Sequence, residues 1–323
     1  MNTFNNLWLG TKVGFRRLAK GKKRPTWSWF YETFVEVMQA DFAIPLTGRV
    51  EKARKTMDAT GDKLLRPNQA KFQEAEIGGV HCLWAEPETG AENSVILYLH
   101  GGGYAVGSVL SHRTIMAELA HRTGVRVLGV DYRLAPEHPC PAAIEDVVNV
   151  FNELPNLGIE QKQCIFIGDS AGGGLSVSSI VALRDRVLPA AAVLYSPWTD
   201  LTLSGSSLVE NEPYDFISTD GLRELVGKDF YARDLGPEDP RVSPLFADLQ
   251  GLPPMLIIAG GSEVLLDDSR RLAEKAKEAG VDVELHIEPD EIHVYPLFVG
   301  YSYRAEDALR KTTEFVRSHL LGE

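Results

Sequence analysis

The fold is decided by residues 165–175, which read Ile-Phe-Ile-Gly-Asp-Ser-Ala-Gly-Gly-Gly-Leu. The apolar residues before Gly168 are typical of a buried strand, and a helix is expected from Leu175 to Leu183. The turn between them has the pattern G-x-S-x-G, which holds a serine in a strained backbone conformation for which only flanking glycines leave room. The pattern therefore predicts a nucleophilic serine, Ser170, at the N-terminus of a helix, where negative charge is favoured.

Strands and helices alternate on both sides of this turn, and the apolar strands are typical of a parallel sheet covered on both faces. A hairpin precedes them. The expected strands are 72–77, 80–84, 95–99, 125–130, 164–167, 190–195, 255–259 and 281–287. The expected helices are 113–122, 142–154, 175–183, 268–279 and 305–320. The sequence therefore predicts an α/β fold with a mostly parallel, eight-stranded sheet flanked by helices.

Two segments carry no strand pattern. Apolar residues recur at helical spacing from Trp27 to Met38 and from Leu46 to Met57, where Gly61 is expected to end the last helix. Residues 200–252 are rich in Ser, Gly and Pro and contain only short helical pieces, so they are expected to stand over the carboxyl edge of the sheet. The expected units are 1–60 (N-terminal helices), 61–199 (core), 200–252 (insertion) and 253–323 (core).

The charge of the chain is unevenly distributed. The 323 residues carry a net charge of −12, which argues against nucleic acid as a partner because no basic field is available for phosphates. Residues 1–31 nevertheless contain seven basic residues and no acidic one, which leaves a charge of −19 on the remainder. The N-terminal helices are therefore either a layer packed on the core or a mobile lid that touches lipid or substrate through its aromatic residues.

Three cysteines, Cys82, Cys140 and Cys164, are scattered along the chain and none has metal-ligand spacing. We expect them to be core residues of a protein in a reducing, cytoplasmic compartment. No basic segment leads into an apolar run near the N-terminus, and no stretch approaches the ~18 apolar residues of a membrane span. Neither a secretory signal nor stable membrane insertion is expected.

A second glycine-rich turn follows the strand at 95–99 and reads His100-Gly101-Gly102-Gly103-Tyr104. Consecutive glycines let the backbone approach a ligand closely and point its N–H groups inward. In serine hydrolases such donors, with the N–H of the residue after the nucleophile, hold the oxyanion of the tetrahedral intermediate. The candidate donors are Gly101, Gly102 and Ala171. A phosphate-binding loop is the alternative, but no Gly-Lys-Ser/Thr follows the glycines.

One of the eight histidines stands where a catalytic base is required. His293 lies in Asp-Glu-Ile-His-Val-Tyr, between the last expected strand and the last expected helix. Enzymes that place their nucleophile on a strand–turn–helix elbow have the chain order Ser, acid, His, which needs a histidine at this point. His293 is therefore the candidate base for Ser170.

These motifs and two further stretches resemble the hormone-sensitive-lipase-like branch of the α/β-hydrolases. The matching stretches are 100–103, 131–139 (Asp-Tyr-Arg-Leu-Ala-Pro-Glu-His-Pro), 168–173 and 196–201 (Ser-Pro-Trp-Thr-Asp-Leu). The resemblance implies carboxylesterase activity, no cofactor and no metal, and a cap built from the N-terminal helices and the segment after the sixth core strand. Arg133 and Glu137 are expected to tie loops together near the site, and Asp169 to support the serine turn.

The acid of the triad departs from the commonest pattern of this family, Asp-Pro-Leu followed by an acidic pair. Here the segment 260–268 reads Gly-Gly-Ser-Glu-Val-Leu-Leu-Asp-Asp. Aligning the acidic pair on Asp267 and Asp268 puts Glu263 at the catalytic position, in the turn directly after the strand. The alternative acid is Asp267 or Asp268, which are otherwise expected to cap the helix that begins there.

The candidate site predicts a serine carboxylesterase that hydrolyses short- to medium-chain acyl esters through an acyl-enzyme. A lactonase or another acyl hydrolase with the same triad stays open. Plant gibberellin receptors resemble the family but lack the histidine, so His293 argues against a binding role. Haloalkane and epoxide chemistry need a carboxylate nucleophile, which Ser170 is not. A small-molecule ester is the expected partner, and a homodimer is an open alternative to a monomer.

Overall fold

The structure is a computed structural model that describes residues 3–42, 46, 48–64, 70–227 and 230–323. Side chains at 3–7, 60, 62–64 and 92 are outside this description. Parts of the expected N-terminal unit (1–2, 43–45 and 47) and of the insertion (228–229) therefore lie outside the described residues.

One eight-stranded sheet forms the centre of the chain, in the order β1-β2-β4-β3-β5-β6-β7-β8. Its strands are β1 (Lys71–Ile77), β2 (Val80–Glu86), β3 (Ala91–Leu99), β4 (Val125–Val130), β5 (Cys164–Asp169), β6 (Ala191–Tyr195), β7 (Met255–Gly260) and β8 (Val283–Glu288). Only β2 is antiparallel to its neighbours β1 and β4; all other pairs are parallel. The predicted α/β class and the mostly parallel, eight-stranded sheet are confirmed.

Helices cover both faces of the sheet and one of its ends. They are α1 (Thr3–Lys20), α2 (Trp29–Phe42), α3 (Val50–Leu64), α4 (Arg113–Thr123), α5 (Ala142–Glu153), α6 (Ala171–Ala182), α7 (Ser207–Glu210), α8 (Thr219–Val226), α9 (Leu266–Glu278) and α10 (Arg304–Leu320). The N-terminal part contains three helices, and the described residues of the insertion contain α7 and α8 but no strand. None of the described helices is long and apolar enough to cross a membrane.

The prediction that Gly61 ends the third helix was wrong, because α3 continues through it to Leu64. A Cβ at this position would overlap the carbonyl oxygen of Leu110 and the backbone of Ser111. The glycine therefore permits the close approach of α3 to the turn before α4, and it does not mark a helix end. Close contact across the fold is invisible to a pattern that considers only neighbouring residues.

The core consists of two apolar layers, one on each face of the sheet. The three cysteines are buried and unpaired, as expected. A third apolar cluster joins α2 to the loop after β8 and contains Trp27, Tyr31, Phe216 and Ile292. The N-terminal helices and the insertion thus both meet the carboxyl ends of the strands, which is the edge where open α/β sheets bind ligands.

Candidate active site

Ser170 occupies a sharp turn between β5 and α6, with φ 54° and ψ −121°. Its N–H donates to the carbonyl of Tyr195 (2.8 Å), and its carbonyl accepts from Gly174 (3.1 Å), so the strained conformation is held from both sides. A Cβ at Gly172 would overlap the carbonyl oxygen of Leu99, and one at Gly168 would overlap the carbonyl of Gly172. Both glycines of the motif are thus required by close backbone packing, and the expected elbow is present.

The loop after β3 corrects one of the expected oxyanion donors. The N–H of Gly101 donates to Oδ1 of Asp169 at 3.0 Å, so this group is already engaged. Gly102 and Gly103 follow with φ 118° and 61°, conformations that favour glycine. Gly101 is therefore not a free donor, and the prediction that it helps to hold an oxyanion was wrong. The candidate donors move by one residue along the loop, to Gly102 and Gly103, with Ala171 unchanged.

Asp169 connects this loop to the elbow. Its carboxylate accepts from the Tyr98 hydroxyl at 2.7 Å as well as from Gly101, and its other oxygen lies 3.6 Å from Nε2 of His112. Burial alone would raise the pKa of Asp169, but the charge of His112 and the hydrogen bonds lower it. Asp169 was expected to support the serine turn. Its carboxylate also fixes the start of the glycine-rich loop.

His100 completes the buried wall behind the loop. Its ring stacks on Tyr132 with centroids 4.3 Å apart, and the Tyr132 hydroxyl donates to the His100 carbonyl at 2.6 Å. Burial lowers the pKa of His100 to about 4, so the ring is neutral at pH 7. His100 therefore packs the loop and is not a candidate base.

Glu263 lies in the turn after β7 and is fully buried. Its Oε2 accepts from the Ser196 hydroxyl at 2.6 Å and from the N–H of Gly260 at 2.8 Å. Its Oε1 lies 3.9 Å from Nδ1 of His293, and within the described part of the chain neither of these two atoms has a hydrogen-bond partner. The separation is an ion-pair distance that shortens to a hydrogen bond with a small movement, and catalytic pairs are often loose in the absence of substrate.

His293 follows β8 and is 2% exposed. Burial alone would lower the pKa of its imidazole, but the carboxylates of Glu263, Asp215 and Asp169 outweigh burial and raise it. A raised pKa stabilises the imidazolium, which is the state that a general base reaches after it takes a proton. The expected base therefore stands in the electrostatic environment that its role requires.

Ser196 opens the matching stretch 196–201, but the sequence suggested no role for its side chain in the site. It follows β6 with φ 47°, donates its hydroxyl to Glu263, and accepts the N–H of Val294 at 2.9 Å. It thereby joins the acid turn to the residue after His293. The signals for it in the sequence were the matching stretch 196–201 and its position directly after a buried strand.

Residues 96–297, more than half of the chain, match the family model described as the alpha/beta hydrolase fold. A solved esterase from the bacterial hormone-sensitive lipase family superposes with a TM-score of 0.85, at 37% identity, over 91% of this chain and 99% of that one. The chain belongs to the hormone-sensitive lipase family of the alpha/beta hydrolases.

Curated relatives of similar length agree with this assignment. An esterase of Acinetobacter venetianus is 40% identical over 227 residues, which cover 69% of this chain and 75% of the relative. An acetyl-hydrolase of Streptomyces hygroscopicus is 41% identical over 243 residues, which cover 74% of this chain and 80% of the relative. The protein is a carboxylic ester hydrolase, and we refer to it below as the esterase.

Asp267 and Asp268 lie in the first turn of α9 of the esterase, as expected, but contrary to expectation their side chains do not cap the helix. The helix begins at Leu266, and its capping position is Leu265. Asp267 instead accepts from the N–H of Ser207 at 3.0 Å, and Asp268 accepts from the N–H groups of Thr199 and Asp200, both at 2.8 Å. Burial raises the pKa of Asp268 to about 7. Both side chains tie α9 to the chain after β6, and the carboxylate that faces His293 at ion-pair distance is that of Glu263.

The insertion holds the acid turn of the esterase by three side chains. Asn211 donates its amide to the carbonyl of Glu263 (2.9 Å), and Ser207 donates its hydroxyl to the carbonyl of Val264 (2.7 Å). Asp215 accepts the N–H of Val264 at 2.8 Å and that of His293 at 3.4 Å. Burial raises the pKa of Asp215 to about 6. Asp215, for which the sequence carries no motif, therefore contacts the backbone of both the acid turn and the histidine loop.

The N-terminal helices hold the histidine loop. The N–H of Thr26 donates to the Asp290 carboxylate at 2.9 Å, and the Trp27 indole donates to the Asp290 carbonyl at 2.6 Å. The Tyr31 hydroxyl donates to the buried carboxylate of Glu291, whose pKa is raised by burial. These contacts lie two and three residues before His293.

Two charged residues tie further loops together beside the site, as expected. Arg133 binds Asp146 on α5 at 2.8 Å. Glu137 binds Arg54 on α3, and Arg54 also donates to the carbonyl of Ala105 at 2.9 Å, close behind the glycine-rich loop. The helix α3 is thereby anchored to the oxyanion side of the esterase.

Apolar side chains of the insertion cover the glycine-rich loop and His293. Leu225 of α8 lies so close to Gly103 that a Cβ on the glycine would overlap it. The Phe216 ring lies 5.9 Å from the His293 imidazole and 4.9 Å from the ring of Phe42, measured between ring centroids. The glycine-rich loop and the imidazole therefore face an apolar roof.

Proposed function

We propose that the esterase hydrolyses short- to medium-chain acyl esters with Ser170 as nucleophile, His293 as base and Glu263 as the acid that orients it. The observation that carries the proposal is the strained serine elbow, combined with the buried imidazole–carboxylate pair of His293 and Glu263 at the same edge of the sheet. Ser170 follows β5, Glu263 follows β7 and His293 follows β8. Ser196, which follows β6, forms hydrogen bonds with the Glu263 side chain and with the N–H of Val294.

In the proposed reaction, His293 takes the proton of the Ser170 hydroxyl while the oxygen attacks the ester carbonyl. The oxyanion is held by the N–H groups of Gly102, Gly103 and Ala171, the last at the positive end of α6. The imidazolium then gives its proton to the departing alcohol. Water repeats the sequence on the acyl-enzyme, and the Glu263 carboxylate stabilises the imidazolium each time.

The proposed limit on acyl length rests on the apolar side chains of the insertion that cover the site. Leu225 covers the glycine that would hold the oxyanion, and Phe216 stands beside the base, so an acyl chain must fit under apolar side chains that already lie close to the reacting atoms. Apolar walls favour an acyl chain over a charged group. The Streptomyces relative named an acetyl-hydrolase supports a short chain. Residues 1–60 and 200–252 would then act as the cap of two core parts, 61–199 and 253–323.

A lactonase or another acyl hydrolase would use the same groups, and only the pocket would discriminate between them. A binding role without catalysis is disfavoured because His293 is present with its carboxylate partner. The cytoplasmic location stays a prediction that rests on the three unpaired cysteines.

The test is a series of kcat/KM values on p-nitrophenyl esters of increasing acyl length, with a γ-lactone and an anilide of matched acyl group. We expect a maximum at short to medium chains and weaker activity on the lactone and the anilide. A maximum on long chains would contradict the acyl-length proposal, and a higher kcat/KM on the lactone would favour the lactonase. Stoichiometric labelling by an organophosphonate, located by mass spectrometry, should mark Ser170.

A further inference from the structure

The outer face of α1 bears exposed apolar side chains. Trp8, Phe15 and Leu18 are 63%, 71% and 87% exposed. At about 100° per residue they fall within an arc of about 80° on the helix. Val13, on the opposite side, is fully buried. We call Trp8, Phe15 and Leu18 the α1 stripe, because these exposed apolar side chains share one face of the helix.

The opposite side of α1 is fixed to α2, so the stripe is held outward. Arg16 and Arg17 form ion pairs with the buried carboxylate of Glu32. The ring of Trp29 packs against Gly10, and its indole N–H donates to the Gly10 carbonyl at 3.1 Å. These contacts account for the buried side of the helix. Nothing in the described part of the chain covers the stripe.

One lysine lies at the edge of the stripe, and two more lie at the C-terminal end of α1. Lys12 lies over the Trp8 ring at 5.7 Å, and Lys20 and Lys22 are exposed at the C-terminal end of α1 and just beyond it. No ion pair of these three lysines occurs among the described residues, in contrast to Arg16, Arg17 and Lys23, which pair with carboxylates of α2. A lysine with no ion pair among the described residues, Lys12, therefore adjoins the stripe on a protein whose net charge is −12, and Lys20 and Lys22 add exposed positive charge at the end of the helix.

We propose that the α1 stripe docks the esterase on an anionic lipid surface, with the helix lying in the plane of the interface. A basic amphipathic helix with Trp, Phe and Leu on its apolar face is the kind of segment that binds there. Lys12 is placed to meet anionic headgroups while the stripe enters the acyl boundary. A second copy of the chain fits less well, because symmetric packing of α1 on α1 would bring the unpaired lysines of both copies together.

Docking at this face would bring the lipid surface close to the helix α2, which contacts the loop before His293. The helix α1 packs on α2, and α2 contacts the loop before His293 through Tyr31 and Glu291. The binding itself depends on none of the catalytic residues, so its failure and a failure of the proposed ester hydrolysis are separate results.

The experiment is co-sedimentation of the intact esterase with vesicles of phosphatidylcholine mixed with phosphatidylglycerol, compared with phosphatidylcholine alone. We expect binding to the anionic vesicles that falls steeply between about 0.01 M and about 1 M salt, as the screening length shrinks from about 30 Å to about 3 Å. Lys12→Gln should weaken the partition coefficient by about fivefold. Phe15→Ser with Leu18→Ser should weaken it by about tenfold or more per residue, on the order of the transfer cost of each side chain.

Matched controls are Val209→Ser, which removes an apolar side chain that is 73% exposed on the insertion, and Lys277→Gln, which removes an exposed lysine of α9. Neither should change the binding, and all variants should keep the kcat of the unchanged protein on a soluble ester. The proposal is overturned if the intact esterase ignores anionic vesicles at low salt, or if the stripe and lysine variants bind as well as the controls. It is also overturned if sedimentation equilibrium shows a dimer that Phe15→Ser with Leu18→Ser dissociates while vesicle binding persists.

Discussion

The two halves of the catalytic site are supported by different parts of the molecule. The elbow of Ser170 and the glycine-rich loop are held by the sheet and by buried core residues such as Asp169, Tyr98 and His112. The turn of Glu263 and the loop of His293 are joined to the core by Ser196 but are also held by the insertion and by residues 26–31. The nucleophile side is thus fixed within the core, whereas the acid–base side also depends on two segments outside it.

This difference shows which part of a site a short motif can specify. The elbow needs glycines because backbone atoms meet tightly around Ser170, so its geometry is encoded in the motif itself. The acid and the base are separated by 30 residues of sequence, and contacts from residues 26–31 and 207–215 bring their loops into register. Four substitutions test this contrast, in descending order of expected effect.

Ser170→Ala should abolish turnover and leave the fold intact, because backbone packing and not the hydroxyl holds the elbow. Loss of the nucleophilic serine in subtilisin lowers kcat by about 10⁶, and we expect a loss of the same order here. The measurements are kcat on a p-nitrophenyl ester and the thermal midpoint of unfolding. Retained esterase activity in the purified variant would contradict the assignment of Ser170 as the nucleophile.

Glu263→Gln should slow kcat by about 10⁴, on the precedent of amide replacement of a triad aspartate. The amide keeps the shape of the side chain but removes the charge that stabilises the His293 imidazolium. Asp267→Asn is the matched control, since Asp267 binds the backbone of Ser207 and does not face the imidazole at ion-pair distance. Reversed results for the two variants would move the acid to Asp267.

Tyr31→Phe should lower kcat by about tenfold with little change in KM, because it removes a hydrogen bond to a carboxylate that orders the loop before His293, a contact worth about 1.5 kcal/mol. Tyr301→Phe, at a ring that is 38% exposed, serves as the control and should leave kcat unchanged. An equal loss in both variants, or none in Tyr31→Phe, would show that α2 does not position the histidine loop.

Asp215→Asn should move the acid limb of the kcat/KM profile to lower pH, by less than about one unit since other carboxylates remain. The active base is the neutral imidazole, and the Asp215 carboxylate raises the pKa of His293. Removal of that charge lowers this pKa, so the neutral form persists to lower pH. Asp220→Asn, at a side chain that is 90% exposed in the same insertion, should leave the profile in place. A shift toward higher pH would contradict the assigned charge coupling.

Much of the fold could be predicted from the sequence because strand and helix periodicities are local. The eight strands and the helices of the core were all expected, with boundaries displaced by a few residues. The errors fell where contacts are long-range. Gly61 was misassigned because the backbone it meets is at Leu110, and Gly101 because its N–H is taken by Asp169. Asp215 belongs to no motif, and the stretch 196–201 did not reveal the contacts of Ser196, since the partners of both residues lie 49 to 98 residues further along the chain.

The insertion that covers the glycine-rich loop and His293 also binds the backbone of the acid turn through Ser207, Asn211 and Asp215. Under the proposed mechanism, substrate range and catalytic rate are therefore coupled in this esterase. A change that reshapes the roof also disturbs the carboxylate of Glu263 unless these three contacts are kept. Grafting an insertion from another family member would be expected to transfer its selectivity only when the graft retains residues able to make the same bonds.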